Sequence, residues 1–510
     1  MTAPIYGLIF NETETAPYAL VQGDLSTGAI VVPIDDAAPS TFPLNTPVLI
    51  NSSDPTVLTN SGTGQLAQAL ASINNQLGQF EAGAELIVVA VANGADEPTT
   101  IANLLGSATA FTGIYALLKA GQITGKVPRL VGVPNHTGYY PTGVGGVTLS
   151  NITVVGTIAF TAAPASGVTA TGVIVDNNGV YSVNMTNPGS YAPGTVVTAT
   201  LTGCGTGASA TVQQQTLLNP IAAALPAVLT SLNATAHVAS PGDGVIANSL
   251  SCRQLLASDR LRLVDAWVVP GSVPAKGLAY TDFVAEAIGL QIAVDSQHNT
   301  AAGSLPGWDI SGQQVLGIAG LKNYYSFSLT DGSSQGQQLL TQQVGVIEAG
   351  VIGSDTALAS SGFVFAGPWN TQTDPNKWFV NKRRMKDWCY LQLIKSMRRH
   401  LGVDNTTPQS VMNVLTDMQQ LGSFLLSQQI SIGFKVSFVA SQTSPSNLQQ
   451  GQFTVGFANE TPAPITLISV LSSDYYPALV VEEQTIIAEA SGLTPSYIAA
   501  ATTVTTTTGA

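Results

Sequence analysis

From Pro141 to Val212 the chain contains no Lys, Arg or Glu, and its short apolar runs are separated by Gly and Pro rather than by charge. Runs such as ITVV, GVIVD and TVVTATL recur at intervals of about ten residues, the pattern of short strands joined by turns. The flanking sequence has another period. Gln65 to Phe80 reads as helix, Glu85 to Ala92 as buried strand, Thr100 to Ala120 as helix and Pro128 to Val133 as strand. The alternation resumes with helix Leu217 to Leu232, strand Ala236 to Ser240, helix Val245 to Ala257, strand Leu261 to Val269 and helix Tyr280 to Ile292. Strands alternating with helices predict a parallel sheet covered on both faces. The expected fold is therefore α/β, with a core from residues 21–140 and 213–367 interrupted by a small all-β domain, 141–212. Insertions are tolerated at exposed connections, so this one is expected to project outward.

The ends read differently. Met1 to Leu20 is extended and mostly uncharged, an N-terminal arm, and Pro33, Pro39, Pro43 and Pro47 follow as a rim rather than a core. After Gly367 come a helix around Trp378 to Leu401, a helix Pro408 to Gln428, and strands Ile430 to Ala440 and Gln452 to Asn459. That order predicts a C-terminal α+β domain, 368–480, followed by a C-terminal arm, 481–510.

Charge is scarce and unevenly placed. Only 9% of the 510 residues are charged, against about 25% in ordinary soluble domains, and the net charge is -13. Such a surface suits burial against neighbours. Eight of the seventeen Lys and Arg residues nevertheless fall between Lys377 and Arg399. Projected at 100° per residue, Lys382, Arg383, Lys386, Lys395, Arg398 and Arg399 share no single side, and Trp388, Leu393, Ile394 and Leu401 lie among them. A helix of this kind is expected to dock on its own domain on one side and on an acidic partner on the other. Net acidity with one basic cluster argues against direct nucleic-acid binding. No run reaches the length of a membrane span. Met1 to Phe10 lacks the basic and apolar regions of a secretory signal, so synthesis in a cytoplasm is expected. Three scattered cysteines suit neither a disulfide framework nor zinc and read as buried thiols; Cys389, within the basic stretch, is the candidate for an intermolecular bridge.

Catalytic motifs find little support. GCGTGA at Gly203 to Ala208 has glycine spacing but no helix after it, and GQITGK at Gly121 to Lys126 reads as a helix-ending turn rather than a phosphate loop. The G-x-S-x-G nucleophile elbow of a serine hydrolase is read as absent, and His136, His237, His298 and His400 are dispersed and read as structural. The carboxylate pairs Asp35–Asp36 and Glu482–Glu483 read as solvated charge. No cofactor and no metal site is expected.

A series of blocks then carries a resemblance. TFPLNTPVLI (Thr41 to Ile50), TIANLLG (Thr100 to Gly106), TGIYALLKA (Thr112 to Ala120) and PRLVGVPN (Pro128 to Asn135) precede the insertion. FVAEAIGL (Phe283 to Leu290), WDISGQQVLGIAG (Trp308 to Gly320), GFVFAGP (Gly362 to Pro368), WFVNKRRMKDW, SIGFKVSFVA and QFTVGFANETPAPI follow it. In this order, from about Thr41 to Ile468, the chain resembles the contractile tail sheath proteins of phages. SYAPGTVVTATLTGCGTGASATV also resembles a Gly- and Thr-rich β motif of phage structural proteins. The inserted domain is extra to the family pattern, and Glu482 to Ala510 is longer than a simple arm.

The resemblance implies a subtilisin-like parallel-sheet core without catalytic residues, hence no enzyme. It implies arms that add strands to neighbouring subunits, with Ile5, Tyr6, Leu8, Phe10, Val480, Val481, Ile486 and Ile487 as candidates here. It implies a helical or ring-stacked homo-oligomer in the virion, assembled in the host cytoplasm, with tail tube, baseplate and tail terminator proteins as partners. Contraction would drive the tube through the host envelope. By position, Trp378 to Leu401 would face the tube, with the six cations named above as contacts. On this reading Lys382, Arg383 and Lys386 tolerate replacement by Glu without loss of fold. A surface-layer or adhesin-like protein shares the low charge and the β insert, and an α/β hydrolase shares the core pattern; these are the two alternatives.

Overall fold

A computed structural model describes residues 25–78, 83–162, 168–300 and 303–493. The first part of the core runs β1 (Gly28–Ile34), β2 (Pro47–Asn51), α1 (Pro55–Asn60), α2 (Gln65–Leu77), β3 (Glu85–Ala92), α3 (Glu97–Leu105), α4 (Ala120–Thr124) and β4 (Leu130–Gly132). β1 pairs in parallel with both β3 and β4, and β2 closes the edge antiparallel to β3. β1 and β3 are continuous apolar runs because both of their faces are covered. Ala29 and Val31 face one layer with Val89 and Val91, while Ile30 and Val32 face the other with Leu86 and Val88. The proline-marked rim therefore needs correcting: Pro33 sits near the end of an interior strand, in register with Val91.

The single helix expected over Thr100 to Ala120 is also broken. α3 stops at Gly106 (φ 64°), and a 3-10 turn over Gly113–Lys119 leads into α4. A Cβ on Gly106 would lie 2.1 Å from the Thr112 carbonyl oxygen, so only glycine lets the chain fold back there.

The insertion consists of β5 (Thr142–Ser150), β6 (Thr157–Ala162), β7 (Thr171–Asn177), β8 (Val180–Asn187), β9 (Val197–Thr202) and β10 (Ser209–Thr216). Its pairings nest: β7 with β8, β6 with β9, and β5 with β10, all antiparallel. Asn178 and Gly179 both take positive φ at the innermost turn, as a two-residue hairpin with the favoured twist requires. Val144, Phe160, Ala170, Tyr191 and Val197 form a core of its own. Thr142 pairs with Thr216, so the chain leaves and rejoins the α/β core at adjacent points.

The core then continues through α5 (Pro220–Leu232), β11 (Thr235–Ala239), α6 (Ile246–Gln254), β12 (Leu261–Asp265), β13 (Trp267–Pro270), β14 (Thr281–Asp282) and α7 (Val284–Gln297). Asn219 caps α5 by accepting from the Ile221 and Ala222 amides. Short strands β15 (Asn299–Thr300), β16 (Gly303–Ser304) and β17 (Ile318–Leu321) precede α8 (Gln335–Thr341), β18 (Val344–Ala349) and β19 (Phe363–Ala366). The resulting eight-stranded sheet has the order β19-β18-β12-β11-β4-β1-β3-β2, parallel except at its two edge strands. Helices α2 and α7 cover one face, and α3 and α5 the other.

Beyond the sheet lie α9 (Val380–Met397), α10 (Pro408–Ser427), β20 (Gly433–Phe438), α11 (Pro445–Gln449) and β21 (Val455–Glu460), with β20 and β21 paired antiparallel. Met385, Trp388, Leu421, Leu425 and Ile430 pack together beneath them with Leu25 and Leu305. A second unit begins at Ile465: it has no regular structure to Tyr475, then α12 (Tyr476–Leu493). The extended arm expected over Val480, Val481, Ile486 and Ile487 is thus helical, and all four side chains are exposed. YPALVVEEQTIIAEASGL is rich in Ala, Glu and Leu, strong helix formers that outweigh its β-branched residues.

Helices α2 and α7 approach each other closely at Gly289. A Cβ on Gly289 of α7 would lie 2.5 Å from the Ile73 carbonyl oxygen of α2. Gly289→Val is expected to force the two helices apart and cost about 1–3 kcal/mol, read as a lowered midpoint in denaturant. An unchanged midpoint would contradict this packing.

Candidate functional site: the basic helix and its carboxylate partners

α9 is built around Met385, Trp388 and Cys389, which point into the packed layer and fix which way every cation on the helix must face. Arg384 follows them inward. Its Nη1 donates to Asp295 Oδ1 of α7 at 3.0 Å, and both side chains are almost wholly buried. Asp387, one turn on, accepts two bonds from Arg260, 2.6 and 3.0 Å, from the residue just before β12. Arg383 also binds Asp387 and reaches Asp259 at 3.2 Å. Lys382 pairs with Glu460 of β21 at 2.6 Å, and Arg399 with Asp417 of α10 at 2.5 Å.

These contacts show where the six cations expected to face the tube lie within the chain. Lys382, Arg383 and Arg399 are matched by this chain's own carboxylates, and Lys395 is half-buried. Lys386 and Arg398 are exposed and enter no ion pair among the described residues. The chain's own carboxylates thus face three of these cations. Replacing Arg383 by Glu would set it against Asp387 and Asp259, so the fold would not be indifferent to that change. No sequence window could show this, because Asp259 and Arg383 are 124 positions apart.

Between α9 and β21 lies a cleft of about 420 Å³ lined by Phe379, Lys382, Lys386, Tyr390, Phe457 and Glu460 among others. Cys389 borders it but is only 4% exposed, and Asn459 Nδ2 donates to its sulfur at 3.6 Å. Burial pushes its thiol up to about 12, so it stays protonated and unreactive. The intermolecular bridge proposed for Cys389 is thereby corrected; Cys204 and Cys252 are likewise free and buried. Of the arm residues, Ile5, Tyr6, Leu8 and Phe10 lie outside the described residues.

Among the described residues, no serine or threonine hydroxyl and no thiol bonds His136 or His400. His136 contacts Glu97 at 2.7 Å and Gln65 at 3.0 Å, and His400 contacts Asp404 at 2.7 Å and Asp417 at 3.1 Å. His298 stacks on Trp308 with centroids 3.8 Å apart. His237 is buried, and loss of solvation holds it well below the usual imidazole range, with Arg262 and Arg384 adding to the effect. The side-chain groups bonded to His136 and His400 are carboxylates, an amide and a guanidinium, not a hydroxyl.

One motif escaped the sequence reading. Gly332-Ser333-Ser334-Gln335-Gly336 has the literal spacing of a nucleophile elbow. It follows a loop rather than a strand, and Ser334 is buried with its hydroxyl donating to the Asp331 carbonyl at 2.9 Å. No histidine bonds it among the described residues. The Gly203 to Ala208 stretch is the turn between β9 and β10, and Gly125 ends α4 in the left-handed region (φ 74°). No cluster of three metal-ligating side chains occurs among the described residues. No helix there is long and apolar enough to cross a membrane.

Buried acids are a second feature that composition did not reveal. Asp282 accepts from the Asn135 amide at 2.8 Å and the Val284 amide at 3.2 Å, while its own amide donates to Asn135 Oδ1 at 3.0 Å. Desolvation nevertheless pushes its carboxyl up to about 8, against the effect of those amides. Glu286, one turn along α7, is raised to about 7, also by desolvation.

With this geometry in place, comparison with known proteins has a definite result. No family model matches the chain. Over 138 residues it is 35% identical to the major tail sheath protein of Serratia phage KSP20, covering 26% of this chain and 34% of that protein. Over 114 residues it is 34% identical to the tail sheath protein of Escherichia phage P2, covering 21% and 28%. The matched stretch thus spans about a third of the length of these curated relatives. Structural likeness is broader. The contracted helical sheath of the anti-feeding prophage aligns over 92% of this chain and 99% of its own, with TM-score 0.52 and 12% identity. The contracted sheath of the PVC extracellular contractile injection system aligns over 94% and 99%, with TM-score 0.53 and 11% identity. The mixed α/β architecture with its parallel-strand sheet is therefore the fold of contractile sheath subunits. In sequence, the chain is similar to the tail sheath proteins of phages.

Two outcomes test the site's energetics. Arg384→Met removes the guanidinium from buried Asp295, which Gln291 Nε2 also reaches at 3.0 Å, and is expected to cost about 3–5 kcal/mol, while Arg384→Met with Asp295→Leu recovers most of that loss. Equal stability of the single and double variants in denaturant would show the pair to be unimportant. Asp282 and Glu286 have folded-state values above their unfolded ones, so their contribution is fully present below pH 4 and is lost as pH rises through about 7 to 8. Glu286→Gln should flatten the fall in Tm between pH 5 and pH 8 relative to the parent, from the same values; parallel pH profiles would show that Glu286 is ionised in the fold.

Proposed function

We propose that this chain is the structural subunit of a contractile phage tail sheath, polymerising around a tail tube and contracting to drive the tube through a host envelope. The observation that carries the reading is a sheath fold extending over nearly the whole chain, joined to sequence similarity with phage tail sheath proteins. The work of contraction comes from two alternative packings of the same subunits rather than from nucleotide hydrolysis. Scarcity of charge favours that mechanism, because contacts between nearly uncharged surfaces can be broken and remade with little desolvation penalty.

The core is read as a non-catalytic relative of the subtilisin-like α/β fold. Histidines paired with carboxylates and an amide, and a buried Ser334 that caps a turn, support that reading. The inserted domain projects outward, because β5 and β10 join it to the core at one point and it packs around its own apolar cluster. Partners are further copies of the chain, the tail tube, and baseplate and tail terminator proteins. The site of action is the virion, after assembly in the host cytoplasm.

Contacts between copies are assigned to the stretch that begins the second unit. Ile465, Leu467, Ile468, Val470 and Leu471 are 74–98% exposed and have no regular pairing partner, and the apolar side chains of α12 continue the same surface chemistry. A β-rich run that leaves its backbone unpaired is ready to add to a neighbour's sheet edge. Electron microscopy of the full-length protein is expected to show hollow tubes. Leu467→Asp with Val470→Asp and Leu471→Asp should keep the parental Tm but yield only unassembled protein. Two-dimensional lattices from the parent would favour the surface-layer alternative, and persistent monomers would remove the sheath reading.

A further inference from the structure

Close to the Arg384–Asp295 pair lies a histidine whose Nδ1 has no hydrogen-bond partner. His237 stands on β11 between Ala236 and Val238, whose side chains enter the layer covered by α3 and α5. Alternation along the strand turns His237 to the opposite face, the one covered by α7. Arg262 is its register partner on β12 and, lying between Leu261 and Leu263, takes that same face. His237 is 4% exposed and Arg262 1%. Nε and Nη1 of Arg262 are also without hydrogen-bond partners.

The charges around this ring come from several elements. β12 brings Arg262 and α9 brings Arg384; both act on the ring, and loss of solvation acts on it more strongly, in the same direction. The carboxylates nearby are already engaged, Asp309 by Arg262 and Asp295 of α7 by Arg384 and Gln291. The other acid of α7 that is buried in this layer, Glu286, is hydrogen-bonded to Ser72 of α2. β4, on the other side of β11, and α5, on the far face, carry no titratable side chain. A neutral imidazole adds no charge to this set of two guanidinia and two carboxylates. An imidazolium would be a third cation, set against carboxylates that are already paired.

We propose that His237 is a proton-operated release for the C-terminal helices: below neutral pH its imidazolium drives α9, with α10 and the β20–β21 pair, away from the sheet. Arg262 cannot yield to the repulsion, because β12 is paired with β11 from Ala236 to Ala239. Arg384 can, because α9 is a separate element held to the sheet through side chains. Acid therefore opens the seam at α9 as a local unit, before the sheet itself. The device works within one chain and goes beyond the sheath reading without depending on it.

Asp282 and Glu286 respond in the opposite sense. Desolvation keeps both protonated in the fold, so a fall from pH 8 to pH 5 tightens α7 against α2 while it loosens α9. A melting temperature sums the two effects, and a segment-by-segment readout separates them.

The test is hydrogen exchange of the full-length chain, read by mass spectrometry at pH 7, 6 and 5, with each rate corrected for the intrinsic pH dependence of amide exchange. An opened ring takes up its proton near pH 6.5, whereas the folded ring resists it; the seam is at full strength above that value and weakens below it. One proton linked to opening raises the opening constant roughly tenfold per pH unit. Corrected exchange in α9 and α10 is therefore expected to rise about tenfold from pH 6 to pH 5, with β1 and β3 unchanged. His237→Gln should remove that rise, whatever its effect at pH 7. His298→Gln, which replaces the half-buried ring stacked on Trp308, should retain it. Parental exchange in α9 that stays constant from pH 7 to pH 5 would overturn the proposal. So would a rise shared equally by β1 and β3, a rise that persists in folded His237→Gln, or its loss in His298→Gln. The parental profile and His298→Gln decide the matter even if His237→Gln does not fold.

Discussion

Arg384 and Asp295 meet where neither can reach water, and the attachment of the C-terminal helices to the sheet depends on that meeting. A buried guanidinium without its carboxylate is far costlier than the pair is stabilising, so the two elements that bear them cannot separate without large penalty. Asp387 repeats the arrangement with Arg260 and Arg383, and Glu460 and Asp417 extend it outward to β21 and α10. In a chain with so little charge, most of the basic helix is thereby used to fasten one half of the fold to the other.

This division would suit the proposed sheath subunit, which changes neighbours but not its own fold. The α/β sheet and the C-terminal helices share buried ion pairs, which hold them together against force. Ile465, Leu467, Ile468, Val470 and Leu471, which begin the second unit, are exposed. Fold likeness to contracted sheaths extends over nearly the full chain.

Much of the architecture was legible because apolar periodicity has few interpretations. Leu86 to Val91 could only be a strand covered on both faces, and the insert announced itself by its lack of Lys, Arg and Glu. Gly28–Ile34 was harder to read, since Pro33 argues against an interior strand unless its position near the strand end is known. Thr100 to Ala120 kept a helical period across a break that only the approach of Gly106 to Thr112 imposes. The extended arm that the resemblance implies over Val480 to Ile487 is instead α12, whose Ala, Glu and Leu content favours helix locally.

The candidate site divides the same way. The sequence alone determined that the cations lie on one helix, that no single polar face collects them, and that Trp388 and its neighbours would bury part of that helix. These are local properties, set by spacing along the chain. Which cation meets which carboxylate was decided by the tertiary structure, because Asp259, Asp295 and Glu460 come from elements 124, 89 and 78 positions away from their partners. Electrostatic pairing depends on distance in space and on the exclusion of water, and neither quantity exists until the sheet, α7 and the β20–β21 pair have packed.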